Sequence, residues 1–143
     1  MLTETDHLAV TELYGRYAHA FDGARARECA ELFSTDGTFT VHGRSPINGR
    51  AALEEFFVKA AQSPGSQHFV SNIVLDVVGP DRVDGSAYVV VLRVNEDSVR
   101  LASVGSYRDE FVRANGNWLI RSRYFRPVLP EALAGAALVS SGS

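Results

Sequence analysis

Residues 67–95 read QHFVSNIVLDVVGPDRVDGSAYVVVLRVN. Gln67–Val78 and Arg82–Asn95 are rich in β-branched and aromatic side chains, and only Gly79-Pro80-Asp81 separates them. Apolar runs bounded by Gly, Pro and Asp mark strands. A link this short joins antiparallel neighbours, since a parallel crossover needs about a dozen residues or more. The same texture continues through Ser98–Ala114 and Asn117–Arg126, with NED or EDS and then NGN as connectors. The second half of the chain therefore predicts a meander of long antiparallel strands rather than a parallel βαβ sheet.

Upstream the period changes. Between Thr3 and Phe21, Val10, Leu13, Tyr14, Tyr17 and Phe21 recur at steps of three and four, which is one face of an amphipathic helix. Asp22-Gly23 breaks it, and Ala24–Phe33 predicts a shorter helix with Ala26, Cys29, Ala30 and Phe33 inward. Ser34-Thr35-Asp36-Gly37 has the composition of a turn. TFTVHG (residues 38–43) then predicts a strand with Phe39 and Val41 on one face and Thr40 and His42 on the other. Arg50–Gln62 carries Leu53, Phe56, Phe57 and Ala60 at helical spacing, closed by Ser63-Pro64-Gly65. The expected fold class is α+β: three helices and a strongly curved, mostly antiparallel sheet over one domain, residues 1–129, with a flexible tail from Pro130 to Ser143. A twisted sheet over helices leaves a concave apolar pocket, the usual place for a small ligand.

Bulk properties narrow the functions. A chain of 143 residues can bury one proper core. Its net charge of −3 argues against nucleic acid, whose phosphates call for a basic surface. One cysteine, Cys29, leaves no internal disulfide framework. No apolar run approaches the ~18 residues of a membrane span, and the N-terminus has no basic, signal-like region. The expected location is the cytoplasm. Phosphate-binding glycine loops, the G-x-S-x-G elbow and H-E-x-x-H spacing are all missing, so neither metal nor nucleotide cofactor is expected.

The residues that could carry chemistry are few. Strand alternation puts His68, Val70, Asn72 and Val74 on one face and Phe69, Ser71, Ile73, Leu75 and Val77 on the other. The second set is a core face; the first has the mixed character of a pocket wall, or of a strand end meeting water. Asp22 ends the first helix, where the macrodipole disfavours a carboxylate by about 0.3–1 kcal/mol. It is either the N-cap of the next helix or the partner of a nearby cation. His42 points either into the cavity or to solvent. Tyr17, on the first helix's apolar stripe, reads as a core residue, and Tyr107 shares a mixed face with Leu101 and Ser103. Arg121, Arg123 and Arg126 read as a solvated strand surface rather than an anion site.

Several segments together resemble the SnoaL-like family of the nuclear transport factor 2-like superfamily, in its scytalone dehydratase and polyketide cyclase group. They are RYAHAFD (16–22), AELFSTDGTFTVHG (30–43), NGRAALEEFF (48–57), QHFVSN (67–72) and GSYRDEFVRANGNWLIRSR (105–123). The resemblance implies a cone-shaped fold with a deep apolar pocket. It also implies that Asp22 and His68 face each other as a catalytic pair, as the corresponding Asp and His do in the dehydratase branch. Scytalone dehydratase has a tyrosine where this chain has Phe21, a second one matching His42, and a pocket asparagine near Tyr107. The acid–base pair is thus kept while the carbonyl-polarising groups differ.

These readings converge on a cofactor-independent dehydratase, isomerase or cyclase. Asp22 and His68 are the expected catalytic residues, with Tyr17, Phe21, His42, Asn72 and Tyr107 around the substrate. The expected partners are a small hydrophobic or aromatic-like molecule and a second copy of the chain, as a dimer or else a trimer. A non-catalytic binding protein or an accessory subunit of the same fold is the alternative.

Overall fold

The computed structural model describes residues 2–61 and 65–128. Thr3 opens helix α1 (Glu4–Asp22) through a reciprocal cap: its hydroxyl accepts from Asp6 N, and the Asp6 carboxylate accepts from Thr3 N. That carboxylate also receives Arg113 Nη1 (2.9 Å) and Trp118 Nε1 (3.0 Å), which ties the start of α1 to the sheet. Helix α2 (Ala26–Glu31), strand β1 (Phe33–Val41), strand β2 (Ile47–Asn48) and helix α3 (Arg50–Ala60) follow. The long strands are β3 (Ser66–Gly79), β4 (Arg82–Val94), β5 (Val99–Ala114) and β6 (Asn117–Pro127).

The strands form a single open sheet in the order β2-β1-β6-β5-β4-β3. β1 runs parallel to β6, and every other neighbouring pair is antiparallel. The predicted α+β class and the meander therefore stand, with β1 as the parallel addition. Val10, Leu13, Tyr14 and Tyr17 of α1 and Leu53 and Phe57 of α3 pack on the concave face. They meet Phe33, Val83, Val89, Phe111 and Ile120 there in one continuous cluster. Among the described residues, no helix is long and apolar enough to cross a membrane.

Local predictions fail where extra residues break the pairing register. Ser34–Gly37 is not a free turn but an irregular part of β1, where the register with β6 slips between Phe33 and Thr38. A Cβ on Gly37 would lie 2.9 Å from both Phe33 Cβ and Ser34 O, so only glycine permits this path. In β3, Ser71 pairs with Tyr88 and Val74 with Ser86, which leaves an extra residue on β3. Asn72 takes φ +55° there. A bulge of this kind exchanges the strand's two faces. His68 and Val70 therefore point inward before it, and Ile73 and Leu75 after it. Phe69 and Val77, predicted for the core, are 52% and 49% exposed. Asn72, predicted on the pocket wall, is exposed as well. In β6, Ile120 pairs with Phe111 and Ser122 with Glu110, so Arg121 is surplus. The shift sends Arg123 inward beside Trp118 and Ile120, against the predicted solvated surface. The closing turn at Ser63-Pro64 and the tail from Pro130 onward lie outside the described residues.

The left-handed backbone at Asn72 gives a test. Asn72→Gly should leave the urea midpoint unchanged. Asn72→Val should lower stability by about 1–2 kcal/mol, because a β-branched residue meets its own carbonyl there. Equal midpoints for the two variants would contradict the bulge.

Candidate active site

Asp22 is the last residue of α1, and Gly23 ends the helix by donating its N–H to His19 O at 2.9 Å. Ala24 then turns away with φ +55°. α2 starts from Arg25 with no side-chain cap, so the Asp22 carboxylate is not an N-cap. It is turned toward β3, the edge strand at that end of the sheet. An edge strand has backbone N–H groups without a ladder partner. His68 N donates to Asp22 Oδ2 at 2.8 Å, and the His68 ring meets Oδ1 through Nδ1 at 2.5 Å. One carboxylate thus holds both the backbone and the imidazole of the same residue.

A carboxylate can only accept, so Nδ1 carries the proton and Nε2 keeps its lone pair. The His68 side chain is 7% exposed and that of Asp22 20%. Burial pushes the imidazole below its ordinary value of 6.5, with the hydrogen bond and charge of Asp22 acting against that shift. The resting ring is neutral near pH 7, and Nε2 is a free base.

The ring sits in aromatic surroundings. Phe21 lies 4.6 Å away between ring centroids and Tyr17 6.3 Å away, edge to face. Tyr107 packs on Tyr17 at 6.1 Å. Beside the pair a cleft of about 530 Å³ is bordered by His19, Asp22, Gln67, His68, Phe69 and Val94. Of the predicted site residues, Asp22, His68, Tyr17, Phe21 and Tyr107 are brought together. His42 and Asn72 are not. Val41 is the half-buried member of β1 there, so alternation turns His42 outward, where its Nδ1 meets the Tyr124 hydroxyl at 2.5 Å. Asn72 is carried out by the bulge.

Sequence reasoning missed the most buried charges among the described residues. Arg123 donates through Nε (2.7 Å) and Nη2 (3.0 Å) to the two oxygens of Asp109, and both side chains are 0% exposed. Asp109 was findable, since it alternates with the inward Tyr107 and Phe111; Arg123 was hidden by the surplus Arg121. Its guanidinium lies over the rings of Tyr107 (4.0 Å), Tyr17 (4.3 Å) and Tyr14 (5.3 Å). Burial raises the Tyr17 and Tyr107 phenols well above their ordinary range, so both stay protonated. Cys29, packed nearby, is pushed up to about 12 by burial and is inert as a thiolate. No group of His, Cys, Asp and Glu suited to hold a metal ion occurs among the described residues.

A curved, open sheet over helices, with a polar pair beside the concave face, defines the class. The chain matches the SnoaL-like domain over residues 3–124 and belongs to that family. A search of curated proteins gave no match. Solved structures agree on the fold. An NTF2-like protein with a cystatin-like fold from Novosphingobium aromaticivorans superposes with TM-score 0.79 at 26% identity, over 94% of this chain and 89% of the other. Aln2 from a Streptomyces species gives 0.81 at 22% identity, over 96% and 99%. A second Novosphingobium protein, provisionally named a scytalone dehydratase, gives 0.78 at 22%, over 87% and 85%.

The ring's environment sets a measurable pH response. Followed by NMR, His68 should titrate with a midpoint below 6.5, and Asp22→Asn should move it lower still, because Asp22 is what raises it. The folded form resists a proton that the unfolded chain accepts. Stability contributed by this group is therefore full above about pH 6.5 and falls as pH drops below it. A midpoint above 6.5 would show that Asp22 outweighs burial.

Proposed function

We propose that the chain is a metal-independent acid–base enzyme that acts on an enolisable cyclic or polyketide-like molecule. The observation that carries this reading is the double hold of Asp22 on His68, which leaves a neutral Nε2 in a buried aromatic setting. Nε2 takes a proton from a carbon next to a carbonyl; the C–H electron pair moves into the C–C bond and the carbonyl oxygen becomes an enolate. Asp22 stabilises the imidazolium that forms and holds its orientation. The imidazolium then returns its proton to a β-hydroxyl, which leaves as water, or to another carbon, which gives an isomer. Phe21 and Tyr17 offer flat apolar faces to such a substrate. The provisional dehydratase name of one structural relative supports the same chemistry.

A homodimer is part of this proposal. Phe69, Val74, Tyr88 and Leu101 are exposed on the convex face of β3–β5 and form an apolar strip that a second copy would cover. Tyr88→Glu should shift sedimentation toward a slower species. Unchanged sedimentation of both proteins as monomers would remove the dimer from the proposal.

Catalysis is tested with a panel of cyclic β-hydroxy ketones and enolisable aromatic ketones in D₂O. NMR follows deuterium uptake at the α-carbon and loss of water. General acid–base help of this kind is worth about 10²- to 10⁴-fold. His68→Ala and Asp22→Asn should each slow exchange by about a hundredfold or more, with circular dichroism unchanged. Wild-type exchange rates in both variants would rule out the dyad.

A further inference from the structure

The cleft beside Asp22 and His68 is bordered by residues that remain in contact with water. His19 and Asp22 come from α1, residues 65–69 from the start of β3 and Val94 from the end of β4, around a volume of about 530 Å³. His19, Gln67, Phe69 and Val94 are all exposed. A small-ligand site buries about 70–90% of the surface of what it holds. Proton transfer next to a carbonyl is also favoured where water is kept out. A cleft with these exposed walls meets neither condition.

Two of those walls belong to a second surface as well. Phe69 pairs with Val90, so both lie on the outer side of the sheet, and Leu92 and Val94 follow Val90 onto that side by alternation. Leu92 stands opposite Leu101, and Val94 opposite Val99. Leu101 and Val99 therefore continue the exposed apolar face away from the cleft in one direction, and Tyr88 continues it in the other. The face begins at the rim of the cleft. Beside it Asp76 and Arg108 border one groove, and neither has an ion-pair partner among the described residues. A surface with apolar residues and free charges of both signs can match itself, as a two-fold contact requires. A strongly acidic or strongly basic partner would meet charges of its own sign there.

We propose that a second copy of the chain, seated on this outer face, supplies the missing wall of the cleft, so that ligand binding beside Asp22 and His68 is linked to dimer formation. The proposal rests on the acid–base reading and on the dimer that goes with it; what it adds is that the site of a monomer is incomplete. A body on the convex face extends past β3, the edge strand, and Phe69 is where the two surfaces meet. The ligand class is amphipathic: a flat apolar body against Phe69, Val94 and the second copy, with a carbonyl or hydroxyl within reach of Gln67 and His19. Linkage is reciprocal, so the ligand tightens the dimer by the factor by which the dimer tightens the ligand.

6-Acetyl-2-dimethylaminonaphthalene, an enolisable aromatic ketone, serves as the probe, because its emission moves to the blue where water is excluded. Dilution of the wild-type chain through its dimer dissociation range should weaken the probe by about tenfold or more, and saturating probe should tighten the dimer equally in sedimentation. Val99→Glu and Leu101→Glu lie outside the cleft. Each should give a monomer with unchanged circular dichroism, weaken the probe by the same factor and return its emission toward that in water. His19→Trp fills the cleft from α1 and should expel the probe while the dimer stays. The dilution series needs no variant, so it decides the matter if both glutamate variants misfold. A wild-type chain that is monomeric with and without probe, that does not bind it, or that binds it equally as monomer and dimer overturns the inference. So does a folded monomeric variant with wild-type affinity, a glutamate variant that stays dimeric, or full binding by His19→Trp. Linkage without any deuterium uptake would refute the acid–base reading alone. Deuterium uptake at the full rate by the monomeric variants would refute the inference alone.

Discussion

Surplus residues in the long strands govern this fold. β3 carries one at Asn72 and another at Val78, β5 one near Ala102, and β6 one at Arg121, each marked by a slip in pairing with the neighbour. A surplus residue bends its strand and increases the local twist. Repeated across adjacent strands, it curls the sheet enough to receive α1 and α3 on its concave side. It also reassigns which side chains face inward. His68 and Val70 face the core on one side of the Asn72 bulge, and Ile73 and Leu75 on the other. Arg123 points inward only because Arg121 is spent on the bend. Curvature and the composition of the interior are therefore set by the same insertions.

The hold of Asp22 on His68 depends on that curvature, because the sheet's far edge must come back to the end of α1. Two costs meet there. A carboxylate at a helix C-terminus opposes the macrodipole, and an edge strand leaves N–H groups unpaired. Placing Asp22 against His68 relieves both: the strand N–H gains an acceptor and the carboxylate gains two donors. A ring that becomes charged would be favoured further, lying against that carboxylate at the negative end of α1. The resting neutrality imposed by burial and the support for a transient positive charge come from different sources, so one site can provide both.

Much of this was legible in the sequence. Period and connector length identified the helices and the meander, because amphipathic spacing and short links depend only on local chemistry. Asp22 and His68 stood out as ionisable residues at the ends of apolar elements. Face assignments failed wherever a bulge intervened, at Asn72, Phe69, Leu101 and Arg123, because alternation counts residues and a surplus residue has no fixed signature. Asn72 is the partial exception, since asparagine tolerates the left-handed conformation better than most residues do. Ser34–Gly37 shows the opposite error: turn-forming composition served a close backbone approach inside a strand. His42 was ambiguous for a third reason, because alternation gave its face relative to Val41 but not the side on which the cavity lies.

The inward turn of Arg123 has a consequence for how the interior divides. Aromatic packing alone would make this part of the interior wholly nonpolar up to His68. A buried guanidinium lies over the rings of Tyr17 and Tyr107, and Tyr17 in turn meets the His68 ring. Asp109 is what lets the cation persist there. Without its two hydrogen bonds the guanidinium would be an uncompensated buried charge, a state that destabilises proteins by about 3–5 kcal/mol.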